Sequence, residues 1–390
     1  MEVYLDNNST TKVDKEVLKT MMPYFTENYG NPSSIHKFGQ KNRKVLEEAR
    51  ENIAKLLKIK SNELIFTGSG TESNNLAIRG VAEAYRDRGN NIITSTIEHP
   101  SVLNTCKELE KEGFEITYIS VDKNGKVNLE ELKNAIKTTT ILISIMHANN
   151  EIGTIQDINK IGEIAKKNKI LFHSDVVQSM GKFKINPKEN NIDLLSFSGH
   201  KFYGPKGIGG LYIRNGVKLK KVIAGGHQER NRRPGTENVP AIIGMAKAIE
   251  IAYENMNNHN KKEKELRDYL ESELIKRIPE VKVNAESVER LPGTLSFTIK
   301  YVEGESILLN LDMKGIAVSS GSACASGSLD PSHVILAIGV PIEDAHGTLR
   351  FSIGKYNTKE EIDYVIKELP PIVEKIRSMS PFWNEDKENN

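Results

Sequence analysis

Apolar and polar positions follow two different periods along the first half of the chain. Residues 44–58 carry apolar side chains at the three- and four-residue spacing of a helix. Short apolar runs predict strands at 63–67, 91–96, 115–121, 140–146, 170–174 and 192–198. Helical patterns lie between them at 71–88, 101–112, 129–137 and 158–168. This alternation predicts an α/β layer with a mostly parallel sheet, whose ligands lie at the carboxyl ends of the strands.

The second half of the chain has a different pattern. Residues 239–277 form one long helical stretch, in which the asparagine- and lysine-rich segment 255–264 predicts a bend. The pattern then predicts strands at 293–299 and 348–353 and helices at 305–314, 333–338 and 359–379. We interpret residues 12–258 as a large domain and residues 1–11 with 259–380 as a smaller α+β domain. Residues 381–390 are polar, and we expect a disordered tail there.

The stretch Ser196–Gly207 contains a lysine in an unusual setting. Lys201 lies between His200 and Phe202, with small residues before it, glycines after it and no acidic neighbour. Burial in such a setting penalises the ammonium form, lowers the pKa of the amine and frees its lone pair for Schiff-base chemistry. Lys201 is therefore a candidate nucleophile just after a predicted strand.

Two other turns after predicted strands carry candidate residues. Gly68–Asn75 leads into a helix, and the backbone at Gly70 and Thr71 suits a phosphate, although a helix cap by Thr71 without any ligand is the alternative. His99 precedes Pro100 at a helix start, where it can stack on a planar cofactor and move protons near neutral pH. A purely structural histidine is the alternative.

Carboxylate, amide and guanidinium side chains complete this set. Asp175 and Gln178 follow another strand, and a carboxylate there can pair with a protonated pyridine nitrogen or simply cap a helix. Asn150 can donate to a phenolic oxygen or a carboxylate, although asparagine-rich turns are common. In the second domain Arg350 lies in a predicted strand, and its guanidinium suits a substrate carboxylate or an exposed ion pair.

The segment Gly315–Ser328 contains a cysteine among small residues. Structural cysteines are usually buried among apolar side chains, so Cys324 is predicted to be an exposed, mobile nucleophile, with an inert loop thiol as the alternative. Cys106 lies in an apolar helical pattern and is predicted to belong to the core. The basic, glycine-containing loop at 226–238 suggests contact with a phosphate or a partner.

Composition narrows the function classes. The 390 residues are 38% apolar and 27% charged with a net charge of +2, which is typical of a globular protein and requires no nucleic acid or membrane partner. No run approaches the length of a membrane span, and residues 1–8 lack a signal-peptide layout. Two distant cysteines exclude a disulfide framework and a cysteine-rich zinc site, and they favour a reducing, cytoplasmic setting.

In this order, the candidate residues resemble those of the cysteine desulfurases of the NifS/IscS type, within the class-V aminotransferase family of fold-type I pyridoxal phosphate enzymes. The resemblance covers almost the whole chain and includes Tyr4–Thr11, Tyr29–Ser34 and Met146–Gly153. The segment Ser319–Ser328 is similar to the longer cysteine loops of the family. The resemblance implies a large domain with a mostly parallel seven-stranded sheet and a smaller α+β C-terminal domain.

The resemblance also implies a role for each candidate. Lys201 would bind pyridoxal 5'-phosphate through its amine and remove the substrate Cα proton, and Cys324 would accept the sulfur. His99 would lie over the cofactor ring and act as a base on the substrate thiol. Asp175 would bind the ring nitrogen and Gln178 the phenolic oxygen. Asn150 and Arg350 would bind the substrate carboxylate. The phosphate would be bound by Gly70, Thr71, Ser198, His200 and Thr236 of a second subunit.

The implied reaction converts L-cysteine to L-alanine and leaves a persulfide on Cys324, in a homodimer that passes sulfur to an iron–sulfur scaffold or a carrier protein. No resident metal is expected, although Cys324 could transiently ligate a cluster on a partner. An aminotransferase or another lyase on this fold would need Lys201 and Asp175 but not Cys324. A scaffold that binds pyridoxal phosphate without turnover is a further alternative.

Overall fold

The computed structural model describes residues 1–320, 331–380 and 383. Its strands are, in chain order, β1 (Val3–Tyr4), β2 (Leu64–Thr67), β3 (Asn91–Ser95), β4 (Glu115–Ile119), β5 (Thr140–Ser144), β6 (Leu171–Asp175), β7 (Leu194–Ser198), β8 (Gly209–Ile213), β9 (Val281–Val283), β10 (Thr294–Ile299), β11 (Ile316–Ala317), β12 (Ser319–Ser320) and β13 (Thr348–Ser352).

The helices in the same part of the chain are α1 (Lys15–Met21), α2 (Pro23–Thr26), α3 (Lys37–Leu56), α4 (Gly70–Tyr85), α5 (Pro100–Lys111), α6 (Leu129–Ala135), α7 (Ile158–Lys167), α8 (Gln228–Asn231), α9 (Val239–Glu254), α10 (Met256–Arg277), α11 (Gly304–Asp312), α12 (His333–Ala337), α13 (Ile342–Ala345) and α14 (Lys359–Ser378). None of these described helices is both long and apolar enough to cross a bilayer.

The predicted mostly parallel seven-stranded sheet is confirmed. Its strand order is β2-β8-β7-β6-β5-β3-β4, and β8 alone runs antiparallel to its two neighbours. Adjacent residues such as Ile92 and Ile93 belong to different apolar clusters, because successive strand side chains point to opposite faces. Both faces are therefore buried, as a parallel sheet covered by helices requires.

A second, antiparallel sheet has the order β12-β13-β10-β9 and packs with α10, α11 and α14 around a separate apolar core. The break between α9 and α10 falls at Asn255, inside the predicted bend. The fold thus contains the expected smaller α+β unit. The domain limits at residues 11 and 258 stay a prediction.

The N-terminal segment connects the two sheets. Strand β1 pairs with β11 beside the small sheet, and Leu5 packs into the small core. A few residues later, the amide of Thr11 donates to the carbonyl oxygen of His200, 3.0 Å away, next to Lys201. Lys355, after β13, bonds to the Asp14 carboxylate at 2.5 Å. These contacts place one strand of the small sheet beside the carboxyl end of β7.

Candidate active site

A cavity of about 350 Å³ lies at the carboxyl ends of the central strands, between the two sheets. Its volume is within the range of small-molecule and cofactor sites. Residues from the turns after β5, β6 and β7, the starts of α4 and α5, and strand β13 line it. Ten of the predicted site residues are among them: Gly70, Thr71, His99, Asn150, Asp175, Gln178, Ser198, His200, Lys201 and Arg350.

Lys201 ends a 3₁₀ turn, Gly199–Lys201, that directly follows β7. Its Nζ donates to the carbonyl oxygens of Asn8 at 2.5 Å and Ser9 at 2.8 Å. Both acceptors belong to the N-terminal segment, and Gln178 donates to the same Asn8 oxygen at 3.0 Å. The N-terminal segment therefore forms one wall of the lysine's surroundings.

His99 caps the N-terminus of α5. Its Nδ1 accepts from the Ser101 amide at 3.1 Å, which places the proton of the neutral ring on Nε2. Burial lowers the pKa of His99, the Asp175 carboxylate opposes this shift, and Lys201 adds to it. The ring is therefore neutral at pH 7. While the cap is intact, it offers a donor at Nε2 and has no free nitrogen to take up a proton.

Asp175 ends β6 with its side chain almost fully buried. One carboxylate oxygen accepts from the Asn74 side-chain amide at 2.7 Å, and the other from the Val177 backbone amide at 2.9 Å. Asn74 also donates to the Ser101 hydroxyl at 2.9 Å, so the Asp175 and His99 turns are connected. The carboxylate is thereby held in one orientation at the cavity wall.

The start of α4 forms another wall. An added Cβ at Gly70 would lie 2.8 Å from Val177 Cγ2 and 3.4 Å from Ser198 Cβ, so only glycine allows this approach. Burial and the neighbouring Lys201 lower the pKa of His200 to about 4, and its ring is therefore an uncharged partner at pH 7. Free helix amides, small residues and a neutral imidazole together suit an anionic phosphate.

Arg350 extends from β13 into the cavity with 2% of the residue exposed. Its Nη1 donates to the Asn150 carbonyl oxygen at 3.1 Å, and its Nη2 donates to Asp6 and to the Ser9 hydroxyl, each at 2.7 Å. Its Nε is buried and has no hydrogen-bond partner among the described residues. A buried guanidinium with an unused N–H is equipped to bind a carboxylate.

These observations fit the cofactor that the resemblance implies. The cavity combines a lysine amine, a buried carboxylate, a helix N-terminus and a glycine at which a side chain would clash. Within the described part of the chain, Asn74 Oδ1 and Arg350 Nε are buried at its edge without hydrogen-bond partners, so the site has unused hydrogen-bonding capacity. Pyridoxal phosphate offers an aldehyde, a ring nitrogen and a phosphate to these groups.

One predicted site residue is described but does not line the cavity, and another falls outside the described part of the chain. Thr236 is exposed and does not line the cavity of its own chain. Cys324 lies outside the described residues. The chain is described again from Pro331, and the Ser332 hydroxyl donates to the Glu151 carboxylate at 2.5 Å while capping α12. Glu151 directly follows Asn150, so α12 is attached beside the candidate substrate site.

Sequence reasoning gave no role to several residues that line the cavity. Asn8 and Ser9 belong to the Tyr4–Thr11 motif, yet nothing in their local pattern predicts that they reach Lys201 from the N-terminus. Asn74 lies one helical turn after Gly70, and this spacing could have placed both on the face of α4 that points to the sheet. Cys106 is fully buried, as predicted.

Known proteins of one family are similar to this chain over nearly its whole length. The family described as "Aminotransferase class-V" matches residues 3–365. A protein of Dictyoglomus turgidum named cysteine desulfurase IscS is 55% identical over 388 residues, covering 100% of this chain and 98% of that protein.

Solved structures agree as well. A NifS-like protein has a TM-score of 0.91 and 42% identity, covering 96% of this chain and 100% of its own. A structure described as SspA in complex with cysteine has a TM-score of 0.80 and 37% identity, covering 91% of this chain and 100% of its own. The chain therefore belongs to the class-V aminotransferase family of pyridoxal phosphate-dependent enzymes, among the cysteine desulfurases of the NifS/IscS type.

Proposed function

We propose that this chain is a cysteine desulfurase that converts L-cysteine to L-alanine and transfers the sulfur to Cys324. The substrate loses its sulfur atom, the Cys324 thiol gains it as a persulfide, and the two thiol protons remain with the products, so atoms and electrons balance. The observation that carries the proposal is the convergence of Lys201, Asp175, His99 and Arg350 from separate elements on one cavity. Relatives named cysteine desulfurase and a related structure containing cysteine support it.

The substrate carboxylate is bound by Arg350 and Asn150. Arg350 Nε is the unused donor, and the main chain of Asn150 is already fixed because its carbonyl oxygen accepts from Arg350 and from Asn8. The side chain of Asn150 lines the same cavity. Binding at this end fixes the Cα and the thiol of the substrate relative to Lys201, which lowers the entropic cost of the reaction.

Pyridoxal phosphate, when bound, supplies an electron sink next to the substrate Cα. Asp175 would hold the proton of the ring nitrogen, because Asn74 and the Val177 amide keep the carboxylate in place. The phosphate would be held by Gly70, Thr71, Ser198 and His200, and Gln178 would reach the phenolic oxygen. Lys201 is the group that binds the cofactor and moves the proton at Cα.

His99 is proposed to face the cofactor ring and to act at the substrate sulfur. The proton on Nε2 makes the neutral ring a hydrogen-bond donor to a thiolate. If His99 also takes the thiol proton, it must accept it at Nδ1 and give up its bond to the Ser101 amide. His99 therefore cannot cap α5 through Nδ1 and hold the thiol proton on the same atom at the same time.

The test is alanine formation from L-cysteine by the Cys324→Ala variant, with and without a reductant. We expect turnover to be lost, because no thiol remains to accept the sulfur, while the visible absorbance of the bound cofactor is retained. Cys106→Ala is the matched control, because it removes the buried cysteine and should turn over normally. Mass spectrometry of the native chain should find one added sulfur on Cys324. Alanine formation that survives in Cys324→Ala would refute the assignment.

The assembly and cellular setting belong to the same proposal. We propose a homodimer in which Thr236 of one subunit reaches the phosphate of the other, and this is supported by the exposure of Thr236, which does not line the cavity of its own chain. The persulfide would pass to an iron–sulfur scaffold or another sulfur carrier. Two cysteines among 390 residues favour a reducing cytoplasm.

A further inference from the structure

Asp6 belongs to the Tyr4–Thr11 motif, and the proposed reaction gives it no role. Its Oδ1 accepts from Arg350 Nη2 at 2.7 Å, and it also accepts from the Ser9 hydroxyl at 2.8 Å. The same Ser9 hydroxyl oxygen accepts from Arg350 Nη2 at 2.7 Å. The three groups form a closed triangle in which the proton of Ser9 points to Asp6 and a lone pair of Ser9 points to Arg350.

Asp6 provides the only carboxylate within ion-pair distance of Arg350 among the described residues. The charge of Arg350 also acts on Glu151, where it opposes the rise in the pKa of that carboxyl group. The hydrogen bond of the Glu151 carboxylate, however, comes from the Ser332 hydroxyl. A guanidinium that is 98% buried needs a partner for its charge, since an uncompensated buried charge is strongly unfavourable. Asp6 supplies this compensation from the half-exposed N-terminal segment.

The hydrogen bonds at the end of the Arg350 guanidinium determine which of its N–H groups remains unused. Nη2 is used by Asp6 and Ser9, and Nη1 donates to the Asn150 carbonyl oxygen. The guanidinium is planar, so these bonds at its end also fix the direction of the Nε–H bond. Nε is the buried nitrogen to which no described residue bonds, and Arg350 lines the cavity.

We propose that Asp6 is a positioning residue that holds the Arg350 guanidinium so that its Nε–H is presented to the carboxylate of the amino-acid substrate. Ser9 assists, and its hydroxyl is oriented by Asp6. The role rests on the proposed function only in that the cavity takes an amino acid. It does not depend on the fate of the sulfur.

The test is a titration of the cofactor-loaded enzyme with L-alanine, followed by the change in cofactor absorbance. Ethylamine is the matched probe, because it is L-alanine without the carboxylate. In Asp6→Ala the apparent Kd for L-alanine should rise by about tenfold or more, the usual effect of losing a charge-assisted contact. The apparent Kd for ethylamine should stay within about twofold of the native value.

Asp6→Asn separates positioning from stability. It keeps an oxygen acceptor at the same place, so it should bind L-alanine within about threefold of the native enzyme, with cofactor content unchanged. Its melting temperature should fall like that of Asp6→Ala, because both variants lose the charge that compensates Arg350. Equal weakening of L-alanine and ethylamine in Asp6→Ala would overturn the proposal, as would native affinity for L-alanine. If the proposed desulfurase function were wrong, the native enzyme would form no alanine from L-cysteine. The titration with L-alanine and ethylamine would still test the role of Asp6.

Discussion

Two buried glutamates lie next to residues of the candidate site. Burial raises the pKa of Glu98, which precedes His99, to about 8, although it accepts from the Ser95 hydroxyl and the Met146 amide. Burial likewise raises the pKa of Glu151, which follows Asn150, to about 7, while Ser332 and Arg350 oppose the shift. Neither side chain is a proposed ligand for the cofactor. Both make the stability of the site region sensitive to pH.

Glu98→Gln should remove part of this pH sensitivity. Between pH 4.5 and 8 the folded chain keeps a proton on Glu98 that the unfolded chain has lost, so stability falls as the pH rises through this window. From pH 6 to 8.5 this group should cost the native apoprotein about 2 kcal/mol of unfolding free energy. Glutamine mimics the protonated carboxyl group. Between pH 6 and 8.5 the unfolding free energy of Glu98→Gln, measured by urea denaturation, should therefore fall by about 2 kcal/mol less than that of the native chain.

The control is Glu265→Gln, which changes a glutamate whose side chain is 67% exposed. This variant should lose as much stability as the native chain over the same pH range. An identical pH dependence in Glu98→Gln and the native chain would mean that Glu98 is ionised in the folded state at pH 6.

At the level of elements, periodicity predicted the strands whose ends carry the site. Asp175 ends β6 and Lys201 closely follows β7, near the predicted strand ends, because buried parallel strands are short apolar runs that are easily located. Strand β8 was missed, since it begins with Gly209 and Gly210. A Cβ at Gly210 would lie 2.2 Å from the Phe197 ring, so the strand needs the glycine that obscures its pattern.

The N-terminal segment shows what sequence patterns cannot provide. Its contacts with Lys201 and Arg350 are made largely through backbone oxygens and short polar side chains, and they join residues more than 180 positions apart. Neither helical nor strand periodicity reports such pairings. The resemblance marked Tyr4–Thr11 as part of the family pattern, but only the fold reveals that Asp6 and Ser9 contact Arg350.

Helix α12 provides a prediction at this scale. The Ser332 hydroxyl caps the helix and bonds to Glu151, and His333 Nε2 contacts the Glu98 carbonyl oxygen at 3.0 Å. Cys324 precedes this attachment closely in the sequence. We expect Ser332→Ala to cost about 1 kcal/mol of stability through the lost cap and to slow alanine formation several-fold. Its affinity for L-alanine should be unchanged, because the carboxylate site is intact.

Ser332→Thr keeps the hydroxyl and is the matched variant. Its turnover and melting temperature should be close to those of the native enzyme, because threonine also caps helices. Native turnover in Ser332→Ala would show that the attachment of α12 to Glu151 does not help to position the sulfur acceptor.

At the scale of the whole molecule, one apolar surface is left exposed by the residues that the structure describes. Large apolar side chains between α1 and the first turn of α3 are exposed, and this apolar N-terminal surface consists of Leu18, Met22, Phe25, Tyr29, Ile35 and Phe38. Extended exposed apolar surfaces commonly mark protein–protein contacts. Sequence patterning could not reveal it, because these residues occur among polar ones in short, irregular elements. A second copy of the chain is the occupant that the proposed homodimer requires.

Ile35→Asp should therefore dissociate the dimer. Ile35 is 90% exposed in the single chain, so the change should not disturb folding. A twofold interface would contain the substitution twice, which doubles the cost of burying the new charges. Sedimentation should show a dimer for the native chain and a monomer for the variant. The affinity of the variant for pyridoxal phosphate should be reduced about tenfold if a second subunit supplies Thr236.

The control is Leu309→Asp, at a residue of α11 that is 67% exposed. It should leave both the dimer and the cofactor affinity unchanged. A native monomer would contradict the dimer, and an unaffected dimer in Ile35→Asp would exclude this surface.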